Sequence, residues 1–186
     1  MRLGDYFLLL LYRLVPQRYY LTPSRKISPG KTLLDVGGAR GRLSELLEDK
    51  FELLVILDVL EKHFPARKSD NMEFLVASGC FLPIRGGSMD AVVFHDSLHH
   101  LESPLLGLRE ALRVLSLEGK LYIFDFNRET PLGRIILVFE KLMGFPAKLL
   151  TVQELKDILE AYGDIWVEDG RLGSIYLMLV KTREYP

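Results

Sequence analysis

A single cysteine, Cys80, is all the thiol this chain has. It excludes an internal disulfide and a cysteine-based metal cluster, and it fits a reducing, cytoplasmic compartment. Excess positive charge is missing too: 24 lysines and arginines face 25 acidic residues, for a net charge of −1. Without a basic field to grip phosphates, nucleic acid is not an expected partner. No apolar run approaches the length of a membrane span. Tyr6 to Tyr12, between Asp5 and Arg13, is far too short for one. No small-residue cleavage site follows it, so a signal peptide is not expected. That segment reads as a helix whose apolar face packs on the domain, or as a lid, or as a membrane-surface contact through residues 1–15.

What is present is an alternation of strand and helix signals, with no repeat, low-complexity tract or interdomain linker. Its 186 residues fit one domain over 1–186. Strands are expected at Thr32–Val36, Leu53–Leu57, Glu73–Ala77, Asp90–Phe94 and Lys120–Asp125. Helices are expected at Gly41–Asp49, Pro104–Leu115, Leu132–Met143 and Val152–Tyr162, with a short one ending near Pro65. Pro16 to Pro29 reads as a loop with one short helical turn, and Thr151 with Glu154 as a capping box. Asp164–Glu168 and Ile175–Val180, joined through Asp169-Gly170, close the chain as a hairpin. The fold class is α/β: a doubly wound, mostly parallel seven-stranded sheet with a C-terminal antiparallel hairpin.

The chemistry concentrates where the first strand turns into its helix. There the run Thr32-Leu33-Leu34-Asp35-Val36 breaks into Gly37-Gly38-Ala39-Arg40-Gly41. Such a turn leaves backbone N–H groups unpaired, and small residues let a ligand approach them. The nicotinamide fingerprint needs a third glycine three positions after its second. Counting from Gly37, that position is Arg42, and the middle glycine is already Ala39. A nicotinamide-dependent oxidoreductase is therefore disfavoured. The pattern Asp-x-Gly-x-Ala-x-Gly instead resembles motif I of class I S-adenosylmethionine-dependent methyltransferases.

Further stretches extend the resemblance. They are Ala77-Ser78-Gly79-Cys80-Phe81-Leu82-Pro83, then Ser88 to Leu101 with its Leu98-His99-His100-Leu101 turn, then Leu108 to Lys120 with Arg113-Val114-Leu115. In order and spacing they are similar to the small-molecule methyltransferases that include the ubiquinone and menaquinone biosynthesis enzymes. The resemblance covers Lys31 to Phe126, half the chain, and implies a Rossmann-like methyltransferase fold with S-adenosyl-L-methionine as cofactor and S-adenosyl-L-homocysteine as product.

By that resemblance the Gly37, Gly38, Ala39 and Gly41 turn holds the methionine portion, with Asp35 orienting its ammonium group directly or through water. Asp58, at the end of strand two, binds the ribose and Val59 packs on the adenine. Ser78 and Gly79 occupy the positions that usually read the adenine edge as Asp-Ala. Ala39 adds a methyl group to the turn, Ser78 lacks the usual charge, and Leu117-Glu118-Gly119 replaces Pro-Gly-Gly. These departures keep open a catalytically inactive protein that binds the cofactor as a regulatory or partner subunit.

His95 ends strand four, where the methyl group should emerge, beside Asp96. It reads as a catalytic base or as packing. His99 and His100 read as structural, since the pair makes no convincing metal site without carboxylates or a third histidine close by; no metal site is expected. His63 reads as solvated. Residues 1–29 are expected to form an N-terminal helical lid, and 131–150 an apolar helical insert after strand five. Their richness in Leu, Ile, Phe and Met implies a small, hydrophobic or amphipathic methyl acceptor, or simple core packing. Tyr19, Tyr20, Asn127 and Arg128 are polar candidates at the rim. A homodimer stays open.

Overall fold

The computed structural model of the chain describes residues 16–65, 69–145, 147–170 and 174–184. Most of residues 1–29 expected as a lid, and all of the apolar run Tyr6–Tyr12, lie outside them. Within them, strands β1 (Gly30–Val36), β2 (Phe51–Asp58), β3 (Met72–Val76), β4 (Met89–His95) and β5 (Leu115–Phe126) are parallel. β6 (Gly163–Asp169) and β7 (Ser174–Lys181) form an antiparallel hairpin, and β7 also pairs antiparallel with β5. The order across the sheet is β3-β2-β1-β4-β5-β7-β6. This is the Rossmann-like methyltransferase architecture that the sequence implies.

Alternation along the central strands sorts the core into two layers. Leu34, Val92 and Leu121 face helices α3 (Pro104–Val114) and α5 (Val152–Leu159), through Leu108, Leu112, Leu155 and Leu159. Leu33, Val93 and Tyr122 face the other way, with Tyr20 of α1 (Arg18–Lys26) and Leu43 of α2 (Arg42–Glu45). Both faces of the sheet are thus covered, as a parallel sheet requires. The Thr151–Glu154 capping box forms as expected.

Several boundaries differ from the sequence reading, for local reasons. Pro16–Pro29 contains the nine-residue helix α1, not one turn. Its Pro23 is buried within the helix, so apolar burial outweighs the backbone bond that proline forgoes. The helix expected over Gly41–Asp49 stops at Glu45, after an N-cap, Gly41, that offers no side-chain cap. The turn expected at Leu117-Glu118-Gly119 is instead an irregularity within β5, with Glu118 at φ 64°.

Candidate functional site

In this strand order β1 hydrogen-bonds to β2 on one side and to β4 on the other. The chain therefore reverses its direction of winding between β1 and β4. That reversal leaves a crevice beyond the carboxyl ends of the two strands. Val36 and Phe94 pair in register there, which brings Gly37 and His95 to the same edge.

The turn that leaves β1 is held from below. Gly37 and Gly38 donate their N–H groups to the Leu57 carbonyl at 2.7 and 3.2 Å, and Gly41 donates to Gly38 at 2.8 Å. Gly37 and Gly41 have φ of 74° and 71°, and Ala39 adopts φ 47°, a left-handed conformation uncommon for alanine. A Cβ on Gly37 would stand 2.6 Å from Ser97 Cβ, and one on Gly38 2.5 Å from Asp35 Cγ. Both glycines are demanded by the protein's own packing as well as by any approaching ligand. Ser97 completes the clamp, donating from Oγ to the Val36 carbonyl at 2.5 Å.

Asp35 lies beneath this turn, only 1% exposed, and accepts a hydrogen bond from Ser44 Oγ at 2.9 Å. Burial pushes its carboxyl up to about 6, a rise that Ser44 and the nearby His95 moderate. So enclosed, Asp35 braces the loop.

Asp58 ends β2, also buried. Its Oδ1 accepts from the Leu60 N–H at 3.0 Å and lies 2.9 Å from His63 Nδ1. His63 is therefore not a solvated residue; it orients the carboxylate assigned to the ribose. Val59, the next residue, is 59% exposed, an apolar surface suited to stacking. Ser78 accepts the Cys80 N–H on its Oγ at 3.1 Å. A Cβ on Gly79 would come within 2.8 Å of Val36 and 2.9 Å of Leu101, so its lack of a side chain answers to packing.

At the end of β4 the His95 ring sits among aromatic rings, with centroids 5.3 Å from Tyr19, 5.1 Å from Tyr20 and 5.9 Å from Phe124. Its Nδ1 is 3.9 Å from Asp96 Oδ2, which accepts a 2.6 Å hydrogen bond from the Tyr19 hydroxyl. Asp96 has φ 50°, and burial pushes its carboxyl upward against the lowering pull of His95. The two tyrosines of α1 thus roof the strand end. Of the other rim candidates, Arg128 binds Glu154 at 2.8 Å, and Asn127 Oδ1 accepts from the Glu129 N–H at 3.0 Å. Both are engaged by the chain's own groups.

Sequence reasoning missed a further cluster. Helix α4 (Pro131–Leu142), the core of the expected insert, buries Gly133 and Glu140, while Ile135, Val138, Phe139 and Leu142 of its apolar set are exposed. Glu140 Oε1 lies 3.4 Å from His99 Nε2 and 3.7 Å from His100 Nε2. On its other side His99 Nδ1 is 2.5 Å from Asp125 Oδ1 at the end of β5. Burial would lower the His99 pKa, but Asp125 and Glu140 overcome it and push it up to about 10. Burial and the charge on His99 push His100 down to about 4. The carboxylates that meet the pair come from β5 and α4. The local sign was a single acid, Glu140, in a helix otherwise made of apolar residues with Arg134 and Lys141.

Residues 34–123 match the family described as methyltransferase domain. A demethylmenaquinone methyltransferase of Renibacterium salmoninarum is 31% identical over 104 residues, spanning 55% of this chain and 44% of that relative. The chain spans about half the length of the demethylmenaquinone methyltransferases it matches. Among solved structures, an S-adenosylmethionine-dependent methyltransferase of Thermotoga maritima has a TM-score of 0.70 at 18% identity, covering 95% of each chain. Phosphoethanolamine N-methyltransferase 2 of Haemonchus contortus, in complex with S-adenosyl-L-methionine, has a TM-score of 0.70 at 13% identity, over 90% of this chain and 52% of that one. Such identities establish likeness of fold alone.

Proposed function

We propose that this chain is a class I S-adenosylmethionine-dependent methyltransferase that transfers a methyl group from that cofactor to a small hydrophobic or amphipathic acceptor. One observation carries the reading. The glycine turn, Asp58 with Val59, and His95 all stand at one edge of the sheet, around its switch point. The residues present fit the cofactor: positive-φ glycines on a braced turn, an acid oriented at the second strand end, and an exposed valine after it.

When bound, S-adenosylmethionine supplies a methyl group on a sulfonium that already carries its leaving group. The protein's task is then alignment and exclusion of water. Asp58, held by His63 and the Leu60 N–H, would accept hydrogen bonds from the ribose hydroxyls, and Val59 would cover the adenine. Tyr19 and Tyr20 shield the strand end from solvent. His95 would take the proton of an oxygen or nitrogen acceptor, or hold that acceptor in line. Exposed Ile135, Val138 and Leu142 on α4 give an apolar acceptor a surface to rest on. The resemblance to enzymes named demethylmenaquinone methyltransferase makes demethylmenaquinone the first acceptor to try.

Calorimetry tests the cofactor part. S-adenosylhomocysteine should bind in the micromolar range, and Asp58→Ala should weaken it by about 1–3 kcal/mol, the loss of a charged hydrogen-bonding partner. Tighter binding of NAD than of S-adenosylhomocysteine would remove this reading altogether. Methyl-labelled cofactor, offered with reduced demethylmenaquinone and with polar amines, tests the acceptor. Label entering only the polar amines would reject the apolar class, and cofactor binding with no transfer to any acceptor favours the partner-subunit alternative.

A further inference from the structure

Helix α4 is turned the wrong way for simple packing. Its acid, Glu140, is 7% exposed, whereas Leu142 is 81% exposed and Ile135 64%. Burying a carboxylate while leaving leucine and isoleucine in water costs free energy on both counts. Glu140 must therefore meet something that repays its desolvation.

The histidines alone do not. Among the described residues, Glu140 Oε2 and His99 Nε2 are buried with no hydrogen-bond partner. His99 Nε2 lies 3.4 Å from Glu140 Oε1, but off the line of a hydrogen bond. Asp125, 2.5 Å away on the Nδ1 side, adds a second buried carboxylate to the same imidazole. Two buried negative groups thus converge on one ring that can carry one positive charge.

We propose that His99 Nε2, His100 Nε2 and a Glu140 carboxylate oxygen bind a divalent transition-metal ion of the zinc class, fastening α4 to the turn after β4. The donor atoms lie within 4.8 Å of one another. Glu140 Oε1 is 3.4 Å from His99 Nε2 and 3.7 Å from His100 Nε2. A tetrahedral ion with bonds of about 2.0–2.2 Å needs ligand atoms about 3.4 Å apart, so only small shifts close the site. Two imidazoles and one carboxylate suit a borderline ion better than calcium or magnesium, which prefer all-oxygen shells. Asp125 supplies the supporting carboxylate that metal-bound histidines ordinarily have on their other nitrogen, fixing the ring with Nε2 toward the ion. The ion displaces the proton from Nε2 and neutralises both acids together. His100, with its side chain 26% exposed, opens the fourth position to water.

The test uses the untagged full chain, stripped with a chelator and dialysed into metal-free buffer. Zinc is titrated in competition with a chromophoric chelator, and cobalt(II) is added separately to read its visible d–d absorption. One equivalent of zinc per chain is expected, with a tetrahedral cobalt spectrum. His100→Ala and Glu140→Gln should each weaken zinc binding at least tenfold. Asp125→Asn, which alters only the support of a ligand, should weaken it about 10–100-fold. At the same zinc concentration the metal should raise the melting temperature of the wild type by more than that of Glu140→Gln, a comparison made within each protein and so insensitive to the variant's own stability. Less than one equivalent bound by the wild type, or equal affinity in folded His100→Ala, overturns the proposal.

Discussion

His63 Nδ1 stands 2.9 Å from Asp58 Oδ1, five residues away around the turn that leaves β2. With the Leu60 N–H on the same oxygen, the carboxylate is fixed in direction before any ligand arrives. Preorganisation of this kind reduces the ordering cost of binding. His63→Ala should therefore weaken S-adenosylhomocysteine less than Asp58→Ala does, by a factor of about 2–10. Calorimetry on the two variants decides it; a larger loss in His63→Ala would mean that the imidazole itself touches the ligand.

Ala39 is a second local target. It holds φ 47° in the middle of the glycine turn, a conformation that costs a Cβ-bearing residue roughly 1–2 kcal/mol. Glycine relieves that strain and returns part of the gain as unfolded-chain entropy. Ala39→Gly should raise stability by about 0.5–1 kcal/mol in urea unfolding. A destabilised variant would mean that the methyl group contributes packing worth more than the strain.

Asp35 predicts a pH dependence. Its carboxyl is raised from 3.8 to about 6 in the folded chain, mainly by burial, with the Asp58 charge adding to it and Ser44 and His95 opposing. Above about pH 6 the folded state holds a buried anion, at a cost on the order of 2–3 kcal/mol. Most of that cost is gone by pH 4, and all of it below about pH 3, where folded and unfolded forms are both protonated. Asp35→Asn, whose amide oxygen can still accept from Ser44, should exceed the wild type in stability at pH 8 and lose most of the advantage by pH 4. An advantage constant across that range would mean that the charge is not its source.

His95 separates chemistry from binding. Its ring is enclosed by Tyr19, Tyr20 and Phe124 at the end of β4. His95→Ala should lower methyl transfer at least tenfold, about 1.4 kcal/mol in the barrier, with little change in S-adenosylhomocysteine affinity. Full turnover in the variant would reduce the ring to packing. Collapse of cofactor affinity would move it into the binding site.

Much of this was legible in the chain because it is written in short-range patterns. Five parallel strands follow from apolar runs bounded by turn residues, and the site edge follows from the polar residues that end them. The Thr151–Glu154 box could be read four letters at a time. What escaped depends on distance. Glu140 meets His99 across 41 positions of sequence (140 − 99), and Tyr19 meets Asp96 across 77. No local period announces such pairs. His63 was misread for the opposite reason: five residues from Asp58, it sits on a turn whose direction the residue types leave undetermined. Gly79 shows a third kind of gap, since Val36 and Leu101 exclude a side chain there whatever the ligand.

The hairpin order has a consequence for how the chain is born. β6 precedes β7 in sequence, yet in the sheet it touches β7 alone, which lies between it and β5. As the polypeptide leaves the ribosome, β6 has no strand to join until residues 174–181 emerge. Until then β5 shows a bare row of backbone donors and acceptors along one side, an invitation to pair with a neighbouring chain. Interrupted translation anywhere between Gly163 and Ser174 would release a product with that seam open. β7 is the strand that closes it.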